Sequence, residues 1–211
     1  MINFGGGMLT GAEIERQIRK GNICISPYDP KCINPNSYNL KLHPQLLVYK
    51  RNCDRSSIIP NCNNDSIAPV INHRECCYLD SFQSNPIDMC ADNETIEFQI
   101  PEEGYVLQPG VLYIGRTVET TSTDKFIPMI NGRSSGGRLG ISVHVCAGFG
   151  DIGFNGTWTL EITVVEPVKI YPYTEIAQVC YFKPYGKIKN LYRGRYHNQN
   201  DATASRFYKS K

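Results

Sequence analysis

Apolar residues recur along this chain mostly in short runs, and at helical spacing only once. Ile14 and Ile18 fall on one face of a segment that opens with Thr10-Gly-Ala-Glu13 and stops at Gly21. That opening has the capping-box spacing, in which a hydroxyl and a carboxylate three residues apart each serve a free backbone N–H. One short helix is predicted, over 11–20. After it, apolar or alternating runs at 23–25, 38–42, 46–49, 105–107, 111–114, 141–146, 157–165 and 176–182 are separated by Gly, Pro, Asn and Asp. Strands at such intervals, without helical stretches between them, predict a mainly β fold of the barrel or sandwich kind and not βαβ units.

Two regions depart from this pattern. Residues 51–93 turn to Asn, Ser, Asp, Pro and Cys with little periodicity, which predicts a long surface insertion holding a small hairpin at most. Residues 1–7, with three glycines, read as a disordered leader, and Met8 is an alternative start. The whole chain of 211 residues fits one domain of about 100–200 residues enlarged by the insertion and by a tail, 183–211.

Charge sharpens the picture of the tail. Overall, 22 Lys and Arg stand against 20 Asp and Glu. Residues 183–211 hold eight of the basic residues and a single acid, Asp201, a net +7, so the first 182 residues carry −5. A basic tail on an acidic body predicts a polyanionic ligand beside the tail, either a polymer or a small phosphate ester. No run of about 18 apolar residues and no basic-then-apolar start occurs, so neither a membrane span nor a secretory signal is expected and the expected compartment is the cytoplasm. Of nine cysteines, Cys53, Cys62, Cys76, Cys77 and Cys90 crowd the insertion. Without a secretory route a disulfide framework is not expected; free, mostly buried thiols are. His73-Arg74-Glu75 imitates half of a zinc deaminase signature, but such enzymes also need Cys-x-x-Cys, which this chain lacks, so no zinc is expected.

The chemistry-bearing residues concentrate between Asn131 and Thr163. Arg133-Ser134-Ser135-Gly136-Gly137-Arg138 gathers two guanidinium groups and two hydroxyls around small residues that let the backbone approach a ligand, equipment suited to phosphates. In Thr157-Trp158-Thr159-Leu160-Glu161-Ile162-Thr163, strand alternation puts Thr157, Thr159, Glu161 and Thr163 on one face and Trp158, Leu160 and Ile162 on the other. On an outer face Glu161 is a solvated charge. Lining a cleft, it would lose water, its pKa would rise, and it could shuttle a proton.

These residues resemble the signatures of the dCTP deaminase family, within the trimeric dUTPase superfamily. The likeness rests on Arg133-Ser134-Ser135-x-Gly137-Arg138-Leu139-Gly140, on Ala147-Gly148-Phe149-x-Asp151-x-Gly153-Phe154-x-Gly156 and on Thr159-Leu160-Glu161. Ile33-Asn34-Pro35-Asn36-Ser37-Tyr38, Val106-Leu107-Gln108-Pro109-Gly110, Ile176-Ala177-Gln178 and the tail runs Pro184-Tyr185-Gly186 and Tyr196-His197-Asn198-Gln199 support it. Only the leader and the Cys-rich insertion fall outside. Ser-Ser at 134–135 and the glutamate at 161 favour deamination over the plain dUTPase branch.

The resemblance implies a distorted β-barrel or jelly-roll-like fold of the dUTPase type with a short N-terminal helix, and a homotrimer with active sites at subunit interfaces. It implies zinc-independent, hydrolytic deamination of dCTP. Glu161 would take the proton from water and pass it to the ring and the departing amine. Ser134 and Arg138 would hold the water and stabilise charge at C4. Val145 and Ala147 would offer main-chain groups and small size to the base, Asp151 would bind the deoxyribose hydroxyl, and Phe154 would wall the sugar. Gly136, Gly137, Thr159 and Leu160 complete the nucleotide-binding set. The triphosphate, carrying Mg²⁺ on its own oxygens, would meet Arg133, Ser135 and Gln178, with Tyr185, Arg195 and Gln199 arriving from the tail. Cys146 stands where the family often has threonine, a position that bears on feedback by the triphosphate product. The expected products are dUTP and ammonia. A dUMP-forming version that also releases pyrophosphate is the alternative, followed by plain dUTPase and by a nucleic-acid-binding module stacking bases on Tyr185, Tyr192, Tyr196, Phe207 and Tyr208.

Overall fold

A computed structural model describes residues 7–50 and 86–210. The helix α1 (Gly11–Arg19) forms where its spacing placed it, with Thr10 Oγ1 accepting the Glu13 N–H at 3.3 Å and Ile14 fully buried. Glu13 takes no part as the second half of the box. It turns to Arg16 at 2.7 Å, and the bonds from Arg16 and Gln17 hold its carboxyl down at about 2.

Eleven strands follow among the described residues: β1 (Cys24–Ser26), β2 (Tyr38–Lys41), β3 (Gln45–Tyr49), β4 (Thr95–Gln99), β5 (Tyr105–Leu107), β6 (Tyr113–Ser122), β7 (Ile127–Gly132), β8 (Ile141–Ser142), β9 (Asn155–Val164), β10 (Val168–Ile170) and β11 (Glu175–Phe182). A second helix, α2 (Ser134–Arg138), interrupts them between β7 and β8. The pairing is antiparallel and makes three sheets: six strands ordered β4-β3-β6-β9-β8 with β1 added along β6, three ordered β2-β11-β7, and the pair β10-β5. The expected β architecture is present, but it is not a closed barrel, because the edge strands β4 and β8 do not pair with one another.

The main core is one large apolar cluster drawn from all three sheets, and Leu47, Ile114 and Ala202 form a second, small one under the tail. Tyr38 and Leu40 of β2, Leu46 of β3, Tyr113 of β6, Leu160 and Ile162 of β9, and Val179 and Tyr181 of β11 are all closed to solvent within the large cluster. On β6 the core-facing side continues through Thr117, Glu119 and Thr121, all buried. Their polarity is accommodated at a break in register between Arg116 and Thr120, where Thr117 Oγ1 accepts the Trp158 N–H at 2.9 Å and donates to the Glu119 carbonyl at 2.7 Å. A hydroxyl there stands in for the missing ladder partner.

Residues opposite one another on neighbouring strands share a sheet face. Ile114 faces Glu161, Arg116 faces Thr159, and Leu47 faces Ile114, so the outer face of the large sheet carries Glu161 beside apolar neighbours. The tail folds back across this face. The Gln199 carbonyl accepts the Thr157 N–H at 2.9 Å, Gln45 Oε1 accepts the Ala202 N–H at 3.1 Å, and the Tyr49 hydroxyl accepts the Ser205 N–H at 3.1 Å. Gly156, at φ +142°, makes the approach possible, since a Cβ there would strike the Gln199 backbone.

Among the five described cysteines only Cys32 and Cys180 are buried; Cys24, Cys90 and Cys146 are exposed, contrary to the expectation of mostly buried thiols. Cys24 occupies an outward position of the three-residue strand β1, and Cys146 belongs to a surface loop. Cys53, Cys62, Cys76, Cys77, most of the insertion and nearly all of the leader lie outside the described residues. No helix among the described residues is long and apolar enough to cross a membrane.

Candidate active site

Between the outer sheet face and the tail lies a cavity of about 620 Å³. Its floor is Glu161 and Thr159 of β9 with Leu112 and Ile114 at the start of β6. One wall comes from the loop after β8, through Val145, Cys146, Ala147, Phe149 and Asp151; Phe154 and Trp158 form another. The tail covers it with Tyr192, Tyr196, Gln199 and residues 203–205.

The floor and the loop are tied together at Glu161. Its backbone N–H donates to the Val143 carbonyl at 2.9 Å, and its Oε2 accepts the Val145 N–H at 2.8 Å. A carboxylate fixed by one backbone donor keeps lone pairs for a ligand or a water. The aromatic wall is equally fixed. Phe154 and Trp158 pack with ring centroids 5.0 Å apart, the indole N–H donates to Thr121 Oγ1 at 2.9 Å, and Tyr192 from the tail meets Phe154 at 6.3 Å.

Gln199 is buried, and its orientation is set by its partners. Nε2 donates to the Thr157 carbonyl at 2.9 Å and to Thr159 Oγ1 at 3.1 Å, while Oε1 has no partner among the described residues. A carbonyl can only accept, so the amide nitrogen must face β9 and Gln199 offers its bare acceptor to a ligand. A buried acceptor left unpaired costs about 1–3 kcal/mol, which a donor on a bound molecule would recover.

A second cluster forms around α2. The Gly-rich stretch forms a short helix, with the Gly137 N–H closing on the Arg133 carbonyl at 2.9 Å. Ser134, Ser135, Gly137 and Arg138 are exposed on it, and Arg138 donates to the Ser134 carbonyl at 3.2 Å. Just ahead of the helix Arg133 pairs with Glu175 at 2.8 Å. Beside it on β11, Gln178 donates to the Gly132 carbonyl at 3.1 Å.

The structure therefore sorts the residues singled out in the sequence into two groups. Val145, Ala147, Asp151, Phe154, Thr159, Glu161 and Gln199 line the cavity. Arg133, Ser134, Ser135, Gly136, Gly137, Arg138 and Gln178 gather around α2 and are not among the cavity-lining residues of this one copy. Three stand elsewhere. Leu160 is at 0% exposure in the core, so its side chain cannot reach a ligand; Tyr185 is 99% exposed; and Arg195 is exposed with its guanidinium on the Arg206 carbonyl at 3.0 Å. Tyr49, Leu112, Ile114, Phe149, Trp158 and Ala204 also line the cavity without having been anticipated. Two signals were available: the continuous apolar run at 111–114, since a strand apolar on both faces needs something on each, and the place of Phe149 in the Ala147-Gly148-Phe149 motif.

The family model described as dCTP deaminase-like matches residues 8–183. The chain belongs to that family. It is 44% identical over 202 residues to a protein of Clostridium beijerinckii named dCTP deaminase, dUMP-forming, covering 96% of this chain and 97% of that one. Proteins with the same name from Hathewaya histolytica and Cytophaga hutchinsonii are each 41% identical over 202 residues, spanning 96% of this chain and 98% and 97% of theirs. The crystal structure of the 2'-deoxycytidine 5'-triphosphate deaminase of Agrobacterium tumefaciens superposes with a TM-score of 0.51 at 18% identity. That superposition covers 85% of this chain and 49% of the longer one, and it speaks for the fold. Among the described residues no three His, Cys, Asp or Glu side chains assemble into a group that could hold a metal. His73-Arg74-Glu75, the stretch that imitates half of a zinc deaminase signature, lies outside the described residues.

Proposed function

We propose that this chain deaminates dCTP hydrolytically and carries the product on to dUMP and pyrophosphate. The observation that carries the reading is the agreement, at 41–44% identity along nearly whole chains, with proteins named for that reaction. The sequence alone put dUTP first; this likeness moves dUMP ahead of it. One water replaces the 4-amino group and releases ammonia, and a second cleaves the α–β phosphoanhydride to leave dUMP and pyrophosphate.

The cavity supplies the parts for the first step. Glu161, held by the Val145 N–H at 2.8 Å, takes a proton from the water that attacks C4. It gives that proton to N3, then takes the second one from the hydroxyl now on C4 and passes it to the amine as the C4–N bond breaks, so that one carboxylate serves twice as base and then as acid. Phe154 and Trp158 wall the nucleoside, and Asp151 receives a sugar hydroxyl. Gln199, with an acceptor facing inward, suits a hydroxyl or amino donor of the nucleoside better than a phosphate, which also only accepts. Ser134 and Arg138 stand on the exposed helix α2, and in this reading they reach the cavity of a neighbouring subunit in a homotrimer. There they place the water and stabilise charge developing at C4. Arg133, Ser135 and Gln178 then face the triphosphate, joined from the tail by Tyr185 and Arg195. Mg²⁺ comes with the phosphates, held by their oxygens and by water.

Incubation with dCTP and Mg²⁺, following ammonia, pyrophosphate and nucleotides together, tests the reading. One ammonia and one pyrophosphate per dCTP are expected. Accumulation of dUTP would make the chain a dUTP-forming deaminase, hydrolysis of dUTP without action on dCTP a plain dUTPase, and salt-sensitive binding of single strands without turnover a nucleic-acid-binding module. Glu161→Gln is expected to bind dCTP and release no ammonia; normal turnover by it would remove Glu161 from the mechanism.

A further inference from the structure

The stretch from Ile33 to Asn39 enters β2 beside β11, far in sequence from Arg133 and Gln178, yet its side chains reach both, Gln178 directly and Arg133 through Glu175. Asn34 Nδ2 donates to Ser37 Oγ at 3.2 Å and to Asn39 Oδ1 at 2.7 Å, using both of its hydrogens. From this root run two directed chains. In the first, Ser37 Oγ donates to Gln178 Oε1 at 2.8 Å, and Gln178 Nε2 donates to the Gly132 carbonyl at 3.1 Å. In the second, Asn39 Nδ2 donates to Glu175 Oε2 at 2.8 Å, the oxygen that pairs with Arg133 at the same distance. Arg133 also donates to the Glu175 carbonyl at 3.1 Å, which anchors one end of its guanidinium by two contacts.

Each link is one-way, and that gives the chains their content. Because the Asn34 amide already donates to Ser37 Oγ, the hydroxyl hydrogen is free to point at Gln178. Gln178 must then present oxygen inward and nitrogen outward, with one N–H on Gly132 and the other unspent among the described residues. Likewise the Asn39 amide meets the carboxylate with nitrogen, so Glu175 is held where it receives Arg133, whose remaining guanidinium N–H groups have no partner among the described residues. Ser37 and Asn39 are both 4% exposed, so water does not compete for these bonds.

We propose that Asn34, Ser37 and Asn39, the last acting through Glu175, are positioning residues that aim the N–H groups of Gln178 and Arg133 at the triphosphate. This rests on the reading of Arg133 and Gln178 as triphosphate contacts. Contacts to a part of the substrate that does not react bind ground state and transition state alike, so misaiming them raises KM and spares kcat.

Steady-state kinetics of the full-length protein on dCTP test the proposal with four variants, Ser37→Ala, Ser37→Thr, Asn39→Leu and Asn34→Asp. Ser37→Ala and Asn39→Leu are expected to raise KM on the order of tenfold each, the worth of one well-placed hydrogen bond, with kcat within about twofold of the parent. Asn34→Asp, which turns the root from donor to acceptor, is expected to exceed either. Ser37→Thr, which keeps the hydroxyl, is expected to restore the parent KM. A merely structural role would lower the active fraction, so a fall in kcat at unchanged KM overturns the proposal. Arg133→Gln and Gln178→Ala separate the two levels of argument. If they raise KM while Ser37→Ala and Asn39→Leu do not, the positioning role falls and the triphosphate contacts stand; if they leave KM unchanged, the contacts themselves fall.

Discussion

Gln45 is the buried fork on which the tail is hung, and replacing it by leucine isolates what that attachment is worth. Its Oε1 accepts both the Ala202 N–H at 3.1 Å and Arg116 Nε at 3.0 Å, while its Nε2 donates to Glu97 at 3.1 Å. Leucine fills similar space and accepts nothing. Ala202 is 7% exposed, so its N–H would be stranded, at about 1–3 kcal/mol. Arg116 keeps its bonds to His43 and to the Thr117 carbonyl and so loses less. A net cost near 2 kcal/mol would lower the ratio of docked to undocked tail roughly 30-fold. Native-state hydrogen exchange reads this directly, since amides protected only by docking exchange faster in proportion to opening. The N–H groups of Ala202, Ser205 and Thr157 should accelerate by that factor while those of β9 beyond Thr159 and of β11 stay slow. KM for dCTP should rise with them. The paired exchange Gln45→Glu with Glu97→Gln keeps an acceptor toward Ala202 and a donor–acceptor pair toward position 97, and should return both readings toward the parent. Unchanged exchange at Ala202 and Ser205 in the leucine variant would refute the fork.

The remaining expectations concern charge and assembly. Glu119, buried on the core side of β6, is pushed up by loss of water despite accepting the Lys41 N–H at 2.9 Å. A carboxyl bound more tightly to its proton in the folded state costs stability as pH rises from the ordinary carboxylate range through its raised value. Glu119→Gln should therefore be more stable than the parent at neutral pH, with the gap closing in acid; denaturant melts that run parallel across that range would contradict this. Burial and the Arg116 charge push His43 down, so stability from this corner should be complete above its ordinary value near 6.5 and fall as pH drops below it; thermal melts in which His43→Gln loses the same amount in acid would count against it. Glu161→Gln and Arg138→Ala, each inactive alone, should regain activity when mixed and allowed to exchange subunits, at about a quarter of the sites for equal amounts in a ring of shared sites. No recovery despite proven exchange would place both groups in one subunit's site.

The strands that could be read beforehand were those dense in apolar residues, whether buried on nearly every position, as in β2, β3 and β11, or alternating. β9 is the best alternating case: Trp158, Leu160 and Ile162 are buried and Thr159, Glu161 and Thr163 only partly, as the period of two required, while Thr157, expected on the open face, is buried under Gln199 of the tail. β6 was anticipated only over 111–114 because its inward side turns to Thr117, Glu119 and Thr121, polar residues whose partners come from across the sheet. β7 escaped notice because Pro128, Asn131 and Gly132 look like turn residues, and the stretch expected at 141–146 ends as a strand after Ser142, where the chain leaves to wall the cavity. Glu161 and Asp151 of the cavity were visible within motifs, as were Arg133 and Arg138 of the α2 cluster. Part of the cavity's apolar lining was not: Ile114 reads as core until its register with Glu161 puts it on the cavity face, and Trp158 belongs to the core cluster while also bordering the cavity.

Trp158 is the chain's single tryptophan. Its ring borders the cavity, packs on Phe154 and is pinned through its indole N–H to Thr121. Red-edge excitation, which passes over the 13 tyrosines, would therefore draw emission from one rigid indole with one fixed environment. A base sliding against that wall would quench it, and an opening tail would shift it to the red as water arrives. Two different spectral changes would then separate filling of the cavity from its uncovering, in the unlabelled protein and on the timescale of a mixing experiment.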